Sequence, residues 1–300
     1  MMKFAPAAFV AILSLAGCAH APKTSTPAAP LADTPAPAPA GPAADDNLNA
    51  VAWSQTASEH GFIFLQTFRD AQEKLLKAKK DPNWDALPKD DREVHPSLKG
   101  LKPAVVLDID ETALDNSPYQ ARLIRSGGEF NEADWAAWCK EAIARPMPGA
   151  VEFTRFAAGH GIAVIYISNR AKDLDDATLA NLRAAGFPVA GKDSFLGLGT
   201  FVEGCEQVGS EKGCRRQRVA KDYRVLMQFG DQIADFANVP GNTAQGRQKA
   251  MAPYTAWIGE RWFVLPNPTY GAWESTLFDN DYTLPRAERR QKKIDSLRVK

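Results

Sequence analysis

The sequence predicts an α/β fold: a doubly wound, mainly parallel sheet with a small helical cap inserted behind its first strand. Three observations carry this. Apolar-rich runs at 104–109, 162–168 and 223–229 read as buried strands. Helix-compatible stretches separate them, and strands alternating with helices imply parallel pairing through crossovers. At 300 residues and 45% hydrophobic content, the chain can bury one sizeable core.

Taken in order, Asn47 to about Lys79 reads as helical, with Val51, Phe62, Leu65, Phe68, Ala71 and Leu75 as its apolar stripe and Gly61 as a bend point. Asp81 to Lys99 is polar and proline-bearing, a loop into the first strand. The insertion, about 113–148, holds helix-compatible segments around Tyr119–Ile124 and Trp135–Ile143. Ala150 to Ala158 forms a helix that stops near Gly159 and Gly161. The second strand follows, then a helix capped by Asp173 and carrying Leu174, Leu179 and Leu182 to Gly186. Phe195 and Leu196 suit a short strand, Arg215 to Asp222 a helix, Tyr223 to Phe229 the third strong strand and Thr255 to Leu265 the fourth. The basic end, Arg286 to Lys300, places Ile294 and Leu297 at helical spacing and reads as a solvated, partly docked helix.

The first residues read as a targeting segment: Lys3, then an apolar stretch to Leu15 that is short for a bilayer span. It ends Leu15-Ala16-Gly17-Cys18, which resembles the bacterial lipobox. That resemblance implies a signal peptide over 1–17, lipidation of Cys18 with palmitate-type chains, and a membrane anchor; an ordinary secretory signal is the alternative. Ala19 after the cysteine fits outer-membrane sorting, placing the protein in a bacterial cell envelope. Residues 18–46 are a Pro/Ala-rich tether; seven prolines fall between Pro22 and Ala44. The 23 residues from Pro22 to Ala44 reach up to ~70 Å at ~3.1 Å per residue. Lysine plus arginine and aspartate plus glutamate balance at 36 each, so charge offers no case for a nucleic-acid polymer. Oligomeric state stays open between monomer and homodimer.

Of the remaining cysteines, Cys205 and Cys214 flank a glycine-containing loop and are expected to bridge in an oxidising compartment, leaving Cys139 over. No CxxC or paired histidine supports a zinc site, and the four histidines are scattered. Rossmann and Walker loops are both absent, so nucleoside triphosphate chemistry has no support.

The chemistry gathers at strand ends. Ala104-Val-Val-Leu-Asp-Ile-Asp-Glu-Thr112 delivers Asp108 and Asp110 to one side of a buried strand, with Thr112 at the turn. Two converging carboxylates are costly to ionise without a cation between them. Parallel sheets collect such residues on one edge, where Ser168-Asn169-Arg170 and Asp231 with Asp235 join them. Magnesium prefers all-oxygen ligands and often shares its shell with substrate phosphate. Phosphoryl transfer also needs a cation on the equatorial oxygens; Lys212 is the candidate, with Arg215 and Arg216 close enough to replace it.

In this order the motifs resemble the haloacid-dehalogenase-like phosphohydrolases. Asp108-Ile-Asp-Glu-Thr112 with Asp115-Asn-Ser-Pro-Tyr119, Tyr166-Ile-Ser-Asn-Arg170, Lys212, Gly230-Asp-Gln-Ile-Ala-Asp-Phe236 and Leu265-Pro-Asn-Pro-Thr-Tyr270 resemble the bacterial class C acid phosphatases, over about 48–275. The resemblance implies a Mg2+-dependent hydrolase of phosphomonoesters, including nucleoside 5′-monophosphates. Asp108 is then the nucleophile and Asp110 the acid–base. Thr112, Ser168, Asn169 and Lys212 bind phosphate, and Asp108, Asp110 (through its main-chain carbonyl), Asp231 and Asp235 hold metal. Tyr119 and Tyr270 are the candidate stacking residues for a base. Gln232 stands where the family usually has Asn. A non-catalytic binding lipoprotein and a phosphotransferase to alcohols are the alternatives.

Overall fold

The apolar run that carries the aspartates becomes β1 (Lys102–Leu107) at the centre of the sheet. A computed structural model describes residues 45–300, so the signal peptide over 1–17, Cys18 and all but the last two tether residues lie outside the described part. Side chains of β1 alternate with the period of two that a strand imposes: Val105 and Leu107 enter one core, Ala104 and Val106 the other.

The chain starts with α1 (Leu48–Thr56) and α2 (Ser58–Lys80). The expected single helix bending at Gly61 is instead broken at Ala57, which is extended (φ −76°, ψ 122°). That break sets the phase of α2: Phe64, Phe68, Ala71, Leu75 and Ala78 are buried, whereas Phe62, expected in the stripe, is 63% exposed. His60 takes the inner position, packed between Trp53 and Phe64. The Asp81–Lys99 segment, expected as loop alone, includes α3 (Lys89–Glu93).

Behind β1, β2 (Leu114–Asp115) and β3 (Arg145–Pro146) close an antiparallel hairpin around α4 (Ser117–Ser126) and α5 (Glu132–Glu141), the predicted helical insertion. Then come α6 (Ala150–Gly159), β4 (Ala163–Ala171), α7 (Asp175–Ala185) and β5 (Phe195–Leu198). Asp173 does not cap α7; it lies in a 3₁₀ turn and Leu174 is the N-cap residue. The remainder is α8 (Gly213–Asp222), β6 (Tyr223–Gly230), α9 (Ile233–Phe236), α10 (Ala244–Met251), β7 (Trp262–Val264), α11 (Ala272–Ser275) and α12 (Arg286–Asp295). β7 is far shorter than the predicted 255–265 because residues 252–257 wind into a 3₁₀ helix.

Among the described residues the main sheet has five strands, all parallel, in the order β5-β4-β1-β6-β7. Strand order reverses between β1 and β6, and the crevice at such a reversal is where open α/β sheets bind ligands. The β1–β6 register shifts between Ala104 and Val105, so Leu226 and Met227 both face the core of α2 and α6. Phe68, Phe153 and Phe229 meet there with ring centroids 4.7–5.7 Å apart. Burying one such ring contributes roughly 3 kcal/mol. On the other face Trp262 is fully buried and donates its indole N–H to the Ala86 carbonyl at 2.6 Å, which pins the short β7. α12 docks through ion pairs such as Arg290–Asp46 and Lys293–Glu274, while Ile294 and Leu297 stay exposed.

Candidate active site

Asp108 is the first residue beyond β1, and its N–H donates to the Phe229 carbonyl at 2.9 Å, extending the β1–β6 ladder by one step. Ile109 enters the core behind, so alternation turns Asp108 and Asp110 the other way. From β6, Gly230 leads into Asp231 and the turn of α9, where Asp235 accepts the Gln232 N–H at 2.8 Å. A Cβ on Gly230 would lie 2.2–2.6 Å from the Asp235 side chain, so only glycine lets this carboxylate close over the strand end.

The Lys212 ammonium is buried between the two aspartates. It donates to Asp108, to Asp235 at 2.7 Å and to the Ile167 carbonyl at 2.8 Å. Arg216 turns away to Asp91 and Asn238, and Arg215 spends its donors on the Ser168 carbonyl, Asn169 and the Ser210 and Glu211 carbonyls. Among the three candidate cations, only Lys212 touches the carboxylates.

Asp108, Asp231 and Asp235 each offer an oxygen within 4.8 Å of the others'. An all-oxygen set with no nitrogen or sulfur suits a hard divalent cation. The charge count agrees. Asp108, Asp110, Glu111, Asp231 and Asp235 gather around Lys212, Arg170 and Arg215, two negative charges in excess when all are ionised. The Asp110 carboxylate stands outside this trio, so any part it has in metal binding falls to its main-chain carbonyl.

Asp110 accepts from Ser168 Oγ at 3.0 Å, Arg170 Nε at 2.9 Å and Asn116 Nδ2 at 2.9 Å. Asn116 Oδ1 accepts in turn from Trp138 Nε1 at 2.7 Å, tying Asp110 to the helical insertion. Thr112 is fully buried and its hydroxyl has no hydrogen-bond partner among the described residues. Asn169 is exposed at the sheet edge. Tyr270 is half-buried, its hydroxyl donating to Glu111. Tyr119, expected as a stacking face, is 2% exposed and packs edge-on against Trp135; it belongs to the core of the insertion. Cys205 and Cys214 are joined, with Sγ atoms 2.05 Å apart, and Cys139 is free and buried.

Burial raises the Asp108 carboxyl well above the usual range; Lys212 opposes this, and Asp235, Asp231 and Asp110 reinforce it. Burial and Asp235 push Asp231 up to about 7 against the hydrogen bonds from Gln232 and Asn267. Burial pulls Lys212 down, but Asp108 and Asp235 more than offset this and hold it above the ordinary lysine value. Arg170 is likewise raised by Asp110 despite its burial. Each shift has the form a cation-binding carboxylate cluster produces.

Four contributors escape a reading of the motifs alone. Arg170 is buried on Asp110, Asn116 sits beneath both, Asn267 donates to Asp231 at 2.8 Å, and Glu111 is buried with φ +58°. Arg170 had a signal: alternation on β4 places it on the same face as Ser168. A non-glycine residue at positive φ inside a motif is sustained only by its surroundings. Here Glu111 accepts from the Asn116 N–H at 2.8 Å and from Tyr270.

Residues 49–273 match the family model for acid phosphatases of the HAD superfamily, subfamily IIIB. Among solved structures, the class C acid phosphatase from Bacillus anthracis is 32% identical with a TM-score of 0.71, covering 85% of this chain and 97% of that one. The same enzyme with tungstate bound gives a TM-score of 0.72. Curated relatives include a stem 28 kDa glycoprotein of Glycine max, 26% identical over 180 residues (60% of this chain, 62% of the relative). Vegetative storage protein 1 of Arabidopsis thaliana is 30% identical over 169 residues, 55% of this chain and 54% of the relative. Acid phosphatase 1 of Solanum lycopersicum is 23% identical over 165 residues, 55% and 57% of the two chains. The chain thus spans between about half and two thirds of the length of these curated relatives.

Proposed function

The chain belongs to the acid phosphatases of HAD subfamily IIIB, and from that premise we propose that it hydrolyses phosphomonoesters at the β1–β6 edge with Asp108 as nucleophile. The observation that carries this reading is the buried contact of Lys212 with Asp108 and Asp235, beside Asp231. Asp108 attacks phosphorus, its oxygen forming the new P–O bond as the ester P–O bond breaks. Water then cleaves the aspartyl phosphate, so one difficult displacement becomes two. Asp110, oriented by Arg170, Asn116 and Ser168, gives a proton to the departing alkoxide and takes one from the incoming water. Lys212 holds an equatorial phosphoryl oxygen. The Ser168 hydroxyl has one proton, so it leaves Asp110 to bind the phosphoryl group.

Asp108, Asp231 and Asp235, with the Asp110 carbonyl, would hold Mg2+, which supplies charge neutralisation for the phosphate and for Asp108. The substrate class includes nucleoside 5′-monophosphates, with Tyr270 as the stacking face. The enzyme works outside the cytoplasm on the lipid anchor expected at Cys18, where nucleotides that cross membranes poorly would be dephosphorylated.

The matching storage and stem proteins make a binding-only role the second reading. The complete set of Asp108, Asp110, Lys212 and Asp231 argues against it. Hydrolysis of a chromogenic phosphate ester by the full chain, with and without a chelator, tests the activity. Asp108→Asn should lower turnover by roughly a thousandfold or more with its circular dichroism unchanged. Full activity in that variant refutes the mechanism. Unchanged preference for nucleotide over alkyl phosphate in Tyr270→Ala refutes the stacking assignment. Phosphate transfer to an added alcohol in place of water would identify a phosphotransferase.

A further inference from the structure

Lys212 sits inside a covalent ring. The connection from β5 to α8, residues 199–212, has no regular helix or strand, and it leads from the end of β5 to Lys212 beside Asp108. Most of it is exposed, Phe201 at 87% and Val208 at 64%, so apolar burial contributes little to its position. Cys205 in this loop is bonded to Cys214 in the first turn of α8, nine residues on, and Lys212 lies two residues before the second cysteine.

The two sides of Lys212 are held differently. On the α8 side the buried guanidiniums of Arg215 and Arg216 reach the Ser168 carbonyl and Asp91, so the helix stays in place without the disulfide. On the loop side the restraints are single, half-buried hydrogen bonds to the carbonyls of residues 210 and 211. Gln207 donates to the Glu211 carbonyl at 2.6 Å, and Arg215 to the Ser210 and Glu211 carbonyls at 3.2 and 3.0 Å. Each of these is a single noncovalent bond of modest net strength, whereas the disulfide is covalent.

We infer that the Cys205–Cys214 disulfide is the positioning device for Lys212, making phosphoryl-group recognition depend on the oxidised loop. This rests on the phosphatase reading of the same site. Cys205 is the more accessible sulfur, since Cys214 is 6% exposed. A dithiol reductant attacks it as thiolate and the Cys214 thiolate leaves and takes a proton. The second thiol of the reductant then releases Cys205, two electrons passing from the reductant, which ends as a disulfide. The opened ring frees the backbone before Lys212, and the ammonium loses the fixed geometry that a charge-assisted bond to phosphate requires.

The test uses the full chain in magnesium-containing buffer, with inorganic phosphate as the ligand. Calorimetry should give about tenfold weaker phosphate binding for Cys205→Ser and for the dithiothreitol-reduced protein, and KM for a chromogenic ester should rise with it. Linkage is reciprocal, so saturating phosphate should make the disulfide harder to reduce by the same factor, which a purely structural bridge would not show. If Cys205→Ser fails to fold, the dithiothreitol titration of the unaltered chain supplies both measurements. Phosphate affinity equal within twofold in oxidised and reduced protein overturns the inference while leaving the phosphatase reading intact. An oxidised chain that neither binds phosphate nor hydrolyses the ester overturns both.

Discussion

Replacing Lys212 by Met keeps the length of the side chain and deletes its charge, leaving Asp108 and Asp235 facing one another in a buried site. At 2.7 Å and an effective dielectric constant near 20, the Lys212–Asp235 attraction alone is about 6 kcal/mol before desolvation is counted. Removing one partner of a buried pair typically costs 3–5 kcal/mol, because the other charge stays behind uncompensated. Whole domains have about 5–15 kcal/mol to lose, so the variant should unfold at markedly lower urea. The pH dependence follows from the directions of the shifts. Lys212 is raised in the folded state, so its stabilisation is complete below the ordinary lysine pKa and fades only as pH rises through the folded value. Asp108 is already raised by burial and by Asp235 with Lys212 opposing, so deleting the ammonium should raise it further. The folded state then takes up a proton before the unfolded chain does, and falling pH stabilises it. Urea denaturation of both proteins at pH 7.5 and 5, with a chelator present so that no cation replaces the ammonium, reads the difference. The gap should be about 3–5 kcal/mol at pH 7.5 and clearly smaller at pH 5. A gap under 1 kcal/mol, or one that widens in acid, refutes the buried ion-pair account.

Gly230→Ala places a methyl group within 2.2–2.6 Å of Asp235. Phosphatase activity should fall by roughly a hundredfold with an increased demand for divalent cation, both measured by a magnesium titration of ester hydrolysis. His60 is held neutral by burial, its pKa lowered. Stability should therefore drop as pH falls below about 6.5, where the unfolded histidine gains its proton first, and His60→Phe should remove that part of the slope in urea titrations at pH 7.5 and 5.5. Burial pushes the Cys139 thiol up to about 12. Under native conditions at pH 8 it should resist iodoacetamide and react only in denaturant, as mass spectrometry of the alkylated protein will show.

What local pattern encodes was legible in the sequence. The apolar runs became β1, β4 and β6, and the strand-end order of Asp108, Ser168 and Asp231 needed no contact information, because parallel strands bring their carboxyl ends to one edge by construction. Helix-compatible segments likewise marked the insertion, which β2 and β3 close. Where one residue choice shifts a helix by a fraction of a turn, the pattern was ambiguous. Phe62 and His60 exchanged places through the break at Ala57, and Thr255 to Trp257 coiled instead of extending.

The sequence by itself determined the sheet, the family motifs and the carboxylates at the edge. Which partner each carboxylate meets was decided only by the tertiary structure. Lys212 reaches Asp108 across 104 residues and Asp235 across 23, whereas Arg215 and Arg216, three and four positions further on, reach carbonyls and Asp91. The same holds for Arg170 on Asp110, for Trp138 beneath Asn116, and for the packing that takes Tyr119 out of the site. The reason is range. Periodicity and turn chemistry act within a few residues, but the pairing of buried charges is settled by which side chains meet once the core has closed and solvent is gone.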